Sequence, residues 1–353
     1  VKIRPREDYH TEYLPKYGEV LAGSRWPQFV LTRAWEMDWD PDASTSVLET
    51  VHDLAVQEMR SSGAFDEPRA RGDGPPEPVL GSLLDLKIEL ADRLAAECQL
   101  CERRCCARRA LGKAGACGVT EPRISSAFLH HGEERELVPS FTIFFSGCNL
   151  ECEFCQNADI STSPGSGKVM TPEACADLIS SEELSSRNVN WVGGDPIPNV
   201  PFILQVLRVL RSRKPRPQVF NSNMFMTERT LALLNGLVDV YLADFKYGND
   251  VCAYRLSKVE GYFGVVSRNH KLASHQAELL VRHLVLPGHV DCCSIPLMDW
   301  LREEIGPVRL NVMDQYRPVH RAREHSDIAR RPTSEEFMRA YRHAESIGHL
   351  GLD

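Results

Sequence analysis

The sequence predicts an α/β protein whose main body is an open, partial barrel of parallel strands. Three observations carry this expectation. From residue 141 onward, apolar runs of strand length alternate with amphipathic helical patterns. Six such units follow one another, too few for the closed eight-stranded form. The polar residues that interrupt the pattern gather where the apolar runs end, the edge at which parallel α/β folds build their sites.

The strand candidates are "FTIFFSG" from 141, "VNWVGGD" from 189, "QVFNSN" from 218, "VDVYLADFK" from 238, "ELLVRHLVLPG" from 278 and "VRLNVMDQY" from 308. The stretches between them are long enough for crossover helices, which makes the strands parallel and the connections right-handed. Among these helices, "TPEACADLISSEEL" has Thr171 placed as N-cap and Pro172 in its first turn, and "VPFILQVLRVLRSR" and "TERTLALLNGL" show apolar residues at helical spacing. Ahead of the barrel, residues 1–79 read as an N-terminal extension and linker. They carry Trp26, Trp35 and Trp39, a helix in "SVLETVHDLAVQEMRSSG", and the Pro-, Gly- and charge-rich stretch "DEPRARGDGPPEP". The tryptophans read as anchors against the main body in preference to a lid over the barrel mouth. Residues 80–135 supply a further helix, "LGSLLDLKIELADRLAAE", and the Cys-rich segment "CQLCERRCCARRALGKAGACGV"; residues 136–353 form the barrel.

Composition narrows the function classes. A formal net charge of -8 and a pI near 5.9 oppose a nucleic-acid or anionic-membrane partner. No run approaches the ~20 apolar residues of a membrane span, and "VKIRPREDYH" lacks the apolar stretch of a signal peptide, so a cytoplasmic location is expected. In that compartment twelve cysteines point to metal or catalysis, not to disulfides.

Eight of the twelve lie in two clusters. In "FFSGCNLECEFCQN", directly after the first strand, Cys148, Cys152 and Cys155 can wrap one soft-metal object, an iron–sulfur cluster or zinc. A zinc ribbon needs a fourth Cys or His at short spacing, and none follows up to residue 170. Three ligands on a four-iron cluster leave one iron open, the mark of a reactive site. Phe154, before the third cysteine, would shield such a cluster from water. Further along the same rim come Gly193, Gly194, Asp195 and Pro196 after the second strand, Asn221 and Asn223 after the third, Asp244 and Lys246 after the fourth, and Gln315 after the sixth. Arg282 and His283 sit within the fifth strand, where a long charged side chain needs a partner.

The Cys148-x3-Cys152-x2-Cys155 motif, with an aromatic before the last cysteine, resembles the cluster motif of the radical S-adenosylmethionine (radical SAM) superfamily, whose fold is a partial (β/α)6 barrel. "GGDP" is similar to the superfamily's GGEP-type element, with Asp195 in place of glutamate. Together with "DFKYG", "VRHLVLPGH" and "LNVMDQYRP", the motif is most similar to the pyruvate formate-lyase-activating-enzyme-like branch, over about residues 98–345. The resemblance implies a 4Fe–4S cluster on Cys148, Cys152 and Cys155 with SAM chelating the open iron. It also implies that Gly193, Gly194 and Asp195 hold the methionine amino group, that Asp244, Lys246 and Arg282 lie near its carboxylate, and that Phe154, Asn157 and Asn221 complete the cofactor surroundings. "NSNM" stands where activases carry an Asp-Thr pair, so no cation site is carried over to that strand.

The implied activity is reductive cleavage of SAM to a 5′-deoxyadenosyl radical, which abstracts hydrogen from a protein, peptide or small-molecule substrate. An electron would come from a flavodoxin- or ferredoxin-type donor. An activase of a glycyl-radical enzyme competes with an enzyme that modifies a peptide or small molecule; an extension that covered the mouth would disfavour the activase. The alternative of another class is a non-catalytic iron–sulfur or zinc electron-transfer or binding module, with no SAM cleavage. Cys98, Cys101, Cys105 and Cys117 offer a second metal site, for zinc or an auxiliary iron centre, with Cys106 as a fifth candidate. Cys175, Cys252, Cys292 and Cys293 are assigned to packing, and His289 and His320 have no partner that the sequence identifies.

Overall fold

The computed structural model describes residues 11–69, 73–183 and 185–352; the "VKIRPREDYH" start, part of the predicted linker and Leu184 at the end of "TPEACADLISSEEL" lie outside these residues. Eight strands form one sheet: β1 (Arg123–His130), β2 (Ser140–Phe145), β3 (Lys168–Val169), β4 (Asn188–Gly193), β5 (Gln218–Ser222), β6 (Val240–Asp244), β7 (Glu278–Leu284) and β8 (Arg309–Met313), in the order β3-β1-β2-β4-β5-β6-β7-β8. The last six of that order are the six expected strands, and each pairs with the next in parallel. β1 and β3 were not expected. They add antiparallel edges beside β2, so the sheet starts ahead of residue 136, where the barrel was expected to begin. The polar run "RISSAFLH" of β1 lacks a buried strand's apolar continuity because it lies near the sheet edge.

Alternation along each strand separates two faces. Phe141, Ile143, Phe145, Val189, Trp191, Phe220, Tyr241, Val281, Leu310 and Val312 join the core shared with the helices. The intervening residues face the concave side. There Val219, Val240, Leu242 and Leu280 pack against Leu137 and against Leu14 and Tyr17 from the N-terminal segment. The rest of the concave face is polar, and the loop 131–137 threads through it. Glu136 is paired with Arg309 at 2.7 Å, with both side chains fully buried. Glu133 and Glu134 both engage Arg282, and Asn311 of β8 donates to Glu134 at 2.8 Å.

The N-terminal segment closes the amino edge. The backbone N–H groups of Lys16 and Tyr17 donate to Glu278 at the start of β7, both at 2.8 Å. The Gln28 N–H donates to Asp239, just before β6, at 3.0 Å. The helix Thr45–Ser61, N-capped by Ser44, flanks the outside of the barrel through Arg60, which holds Asn235 and the Gln276 carbonyl. Trp26 is buried in the core with Arg69 over its ring, the anchoring role expected of it. The helix Leu83–Ala96, with a Ser82–Asp85 capping box, runs on to the Cys-rich segment. No helix among the described residues is long and apolar enough to cross a membrane.

Candidate active site at the carboxyl edge

Where β2 ends, the chain turns through Gly147 into the cysteine loop. Gly147 has φ +87°, and a Cβ there would stand 2.9 Å from the Cys117 carbonyl oxygen and closer still to Val119, so only glycine fits. This contact sets the Cys-rich segment directly against the cysteine loop. Arg103 reinforces the junction by donating to the Asn149 carbonyl at 2.9 Å. At the end of β4, Gly193 has φ +129° and no room for a side chain against the Phe145 backbone. The next two residues are stitched to the same loop, Gly194 N–H to Phe145 at 2.8 Å and Asp195 N–H to Gly147 at 3.0 Å.

Cys148, Cys152, Phe154, Cys155, Asn157, Gly193, Gly194, Asp195, Asn221, Asp244, Lys246 and Arg282 all line one cleft of about 360 Å³. Gln156, Asn157 and Gln315 at its lip are exposed. The cleft lining starts at His130, and none of it comes from residues 11–69. All twelve cysteines of the chain are free thiols.

Each of the three loop sulfurs has a hydrogen-bonding neighbour from a different part of the chain. Ser257 Oγ donates to Cys152 Sγ at 3.0 Å, the Leu150 N–H to Cys148 Sγ at 3.4 Å, and Ser161 Oγ lies 3.2 Å from Cys155 Sγ. Hydrogen bonds to sulfur are one means by which a protein sets a cluster's potential. Burial pushes the Cys152 thiol up to about 11 and raises Cys148 well above its ordinary range, so these sulfurs become thiolates at neutral pH only with a metal to hold. Phe154 is buried, with its ring edge-on to Tyr247 and Tyr316 at 6.4 and 5.7 Å, which makes a dry wall behind the loop.

The charged groups face this loop from β6 and β7. Asp244 and Arg282 are register partners, and Lys246 pairs with Asp244 at 2.5 Å. Burial opposes the Lys246 charge, but Asp244 together with the Cys152 and Tyr262 groups outweighs it and holds the ammonium above its ordinary range. Arg282 lies in the cleft as expected, yet its guanidinium is already engaged by Glu133 and Glu134. Burial raises the Glu134 carboxyl and the nearby guanidinium more than offsets that, so its pKa falls below the usual range. Glu133, Glu134 and His130 escaped sequence reasoning, because "HGEEREL" has the look of a solvated charge run and its partners lie about 150 residues away. Asp195 is a backbone organiser. It accepts from the Ile197 and Asn223 N–H groups at 2.9 Å each, while burial lifts its carboxyl to about 7.

Cys98, Cys101, Cys105 and Cys117 share one neighbourhood. Burial pushes Cys101 up to about 12, and the charges of Cys117, Cys98 and Cys105 add to the rise. Cys106 is exposed with φ +50° and its sulfur lies 3.5 Å from the Arg104 carbonyl oxygen.

The sequence profile described as the Radical SAM superfamily matches residues 142–301, which hold the cysteine loop and strands β4 to β7. The chain belongs to the radical SAM superfamily. Among its relatives, an uncharacterized protein of Methanocaldococcus jannaschii is 46% identical over 275 residues, spanning 76% of this chain and 80% of the relative. A pyruvate formate-lyase-activating enzyme of Listeria monocytogenes is 23% identical over 160 residues, or 43% of this radical SAM chain and 64% of the activating enzyme. Among solved structures, Streptococcus suis SuiB bound to its precursor peptide SuiA aligns over 86% of this chain and 58% of its own, at 11% identity and a TM-score of 0.45. HydG, a maturase of the FeFe-hydrogenase, aligns over 98% and 68%, at 12% identity and a TM-score of 0.42.

Membership implies a 4Fe–4S cluster and SAM, and the radical SAM residues present fit both. Three thiols share one loop with no fourth thiol among the cleft-lining residues, and a cation and a carboxylate face them from β6.

Proposed function

We propose that Cys148, Cys152 and Cys155 hold the cluster, that SAM occupies the cleft in front of it, and that the enzyme acts on a macromolecular substrate as an activase of a glycyl-radical enzyme. When bound and reduced by a low-potential flavodoxin- or ferredoxin-type donor, the cluster supplies reductive cleavage of SAM to a 5′-deoxyadenosyl radical. The chain's own residues bind, orient and shield. Lys246 offers its ammonium to the SAM carboxylate, and Asp244 fixes where that ammonium stands. Arg282, held by Glu133 and Glu134, which offset its charge, gives the cleft wall a fixed guanidinium that cannot swing toward solvent. Backbone groups of Gly193 and Gly194 flank the methionine amino group, and Asp195 keeps that segment in register with β5 through the Asn223 N–H. Asn157 and Asn221 line the adenosine side, and Phe154 with Tyr247 and Tyr316 excludes water from the sulfurs.

One observation carries the choice of a large substrate: among the described residues, 11–69 pack on the amino edge and the barrel's outside and contribute nothing to the cleft lining. A partner protein can therefore approach the carboxyl edge without displacing them. The distant similarity to pyruvate formate-lyase-activating enzymes points the same way. The test feeds reduced, cluster-loaded enzyme and SAM with macromolecular and small-molecule fractions of an extract of the source organism. The activase reading expects a glycine-centred radical by electron paramagnetic resonance, with 5′-deoxyadenosine formation stimulated by the macromolecular fraction. Stimulation confined to the small-molecule fraction would replace it with peptide or metabolite modification.

A further inference from the structure

Four residues that sequence reasoning left to packing, or without a partner, come together outside the cleft. Cys252 lies in the first turn of the helix Asp250–Ser257 after β6, capped by Asn249. His289, Cys292 and Cys293 belong to the turn after β7, where the chain makes one π-helical turn over Val290–Ser294. That wide turn is closed by Cys293 and Ser294 N–H bonds to the His289 carbonyl at 2.9 and 3.3 Å. It sets positions 289, 292 and 293 on one side, facing Cys252; such π turns recur at functional sites.

Among the described residues this is the one set of three or more Cys, His or acidic groups whose ligand atoms all lie within 4.8 Å of one another. Cys252 Sγ is 3.8 Å from Cys292 Sγ, and Cys292 Sγ is 3.9 Å from Cys293 Sγ. His289 Nδ1 is 3.5 Å from Cys252 Sγ and 3.3 Å from Cys292 Sγ. A tetrahedral ion with metal–sulfur bonds of ~2.3 Å and a metal–nitrogen bond of ~2.05 Å has sulfur–sulfur edges of ~3.8 Å and sulfur–nitrogen edges of ~3.6 Å. The four separations above fall close to those edges, and all ligand atoms of the set lie within 4.8 Å of one another. Ligands of a four-iron cluster each bind a different iron and stand further apart, so this set suits a single ion.

The surroundings support the same reading. The far nitrogen of the imidazole, Nε2, lies 2.9 Å from Asp327 Oδ2 and 3.1 Å from Arg255 Nη2; the shorter contact to the carboxylate favours a proton on Nε2, which leaves the Nδ1 lone pair toward the thiols. A carboxylate behind a histidine is the usual outer partner of a metal-bound imidazole. Arg255 pairs with that aspartate and holds it behind the imidazole. Cys252, His289 and Cys293 are buried, and Cys292 is exposed.

We propose that Cys252, His289, Cys292 and Cys293 bind one zinc ion in a closed tetrahedral site. The ion would clamp the β6 and β7 loops together. The first of these loops carries Lys246, and the helix whose first turn holds Cys252 ends with Ser257, the donor to Cys152 Sγ. The site thus buttresses the cysteine loop from behind while taking no part in the cleft. Its occupancy is read independently of SAM cleavage, so failure of either proposal leaves the other standing.

Zinc per chain, measured by mass spectrometry on anaerobically purified protein, tests the assignment. Cys292→Ser and His289→Ala are each expected to lose one equivalent relative to wild type, with iron content unchanged. Cobalt(II)-substituted protein should lose thiolate-to-cobalt charge-transfer intensity in Cys292→Ser. The exposed position of Cys292 makes that serine a mild change to the fold. Should either variant fail to accumulate, X-ray absorption at the zinc edge of the wild-type protein decides. Imidazole outer-shell scattering is expected, since the Cys98–Cys117 set offers sulfur alone. Equal zinc in variants and wild type, or a zinc shell of sulfur without imidazole, would overturn the proposal.

Discussion

Replacing Arg309 by methionine removes one half of an ion pair that lies wholly inside the barrel. Arg309 donates to Glu136 from Nε at 2.7 Å and from Nη2 at 3.2 Å, and neither side chain has any exposed surface. With the guanidinium gone, the Glu136 carboxylate stays buried without its cation. Stranding one charge in this way costs about 3–5 kcal/mol. Glu136→Leu removes the carboxylate of the same pair and should also destabilise the fold, by less, because Arg309 keeps other partners. The double variant no longer leaves the Glu136 carboxylate buried without its cation, so its destabilisation should fall short of the sum of the singles by about 3 kcal/mol. Some loss remains, because Arg309 also donates to the Gly351 carbonyl and ties the C-terminal segment to β8. Urea unfolding of the reduced apoprotein, followed by far-ultraviolet circular dichroism, yields all four stabilities. Additivity within about 0.5 kcal/mol would refute the claim that this pair acts as a unit.

Other expectations concern pH, the amino edge and the cleft. His270 is fully buried, stacked on Phe245 at 4.7 Å, and burial holds its pKa down at about 4. The unfolded chain binds a proton near pH 6.5 that the folded chain refuses, so stability falls as pH drops through that window. Relative to His270→Phe, the wild type should lose about 2 kcal/mol between pH 8 and pH 5, and parallel stability curves would contradict this. Asp239→Ala removes the acceptor of the Gln28 and Gln218 N–H groups and should cost ~1–3 kcal/mol while leaving SAM cleavage intact. Loss of cleavage in folded protein would show that the amino edge communicates with the cleft. Lys246→Gln should weaken SAM binding to cluster-loaded protein by ~10–100-fold, the worth of one charged hydrogen bond, as read by isothermal titration. An unchanged affinity would remove Lys246 from the SAM site.

Much of the barrel could be read from the chain because a parallel sheet covered on both sides leaves apolar runs such as "FTIFFSG" and "VDVYLADFK", whose ends mark the carboxyl edge. The cleft followed from those ends, and its twelve expected residues do share one lining. What stayed hidden depends on long-range pairing. Glu133, Glu134 and Glu136 read as a surface charge run until β7 and β8 bring Arg282 and Arg309 to them. Cys252 and His289 sit 37 positions apart on different βα units, with no local spacing to signal a shared ion. The seat of the N-terminal segment was equally unreadable, since Leu14 and Tyr17 look like any apolar residues until they plug the amino edge.

Formation of 5′-deoxyadenosine by anaerobically reconstituted protein tests the radical SAM assignment of this cleft most directly. With its iron and sulfide incorporated, reduced by dithionite and given SAM, the wild-type enzyme should release 5′-deoxyadenosine and methionine, and Cys152→Ala should release neither. A cluster-loaded wild type that yields no 5′-deoxyadenosine, or a Cys152→Ala variant that yields as much as wild type, would contradict the account.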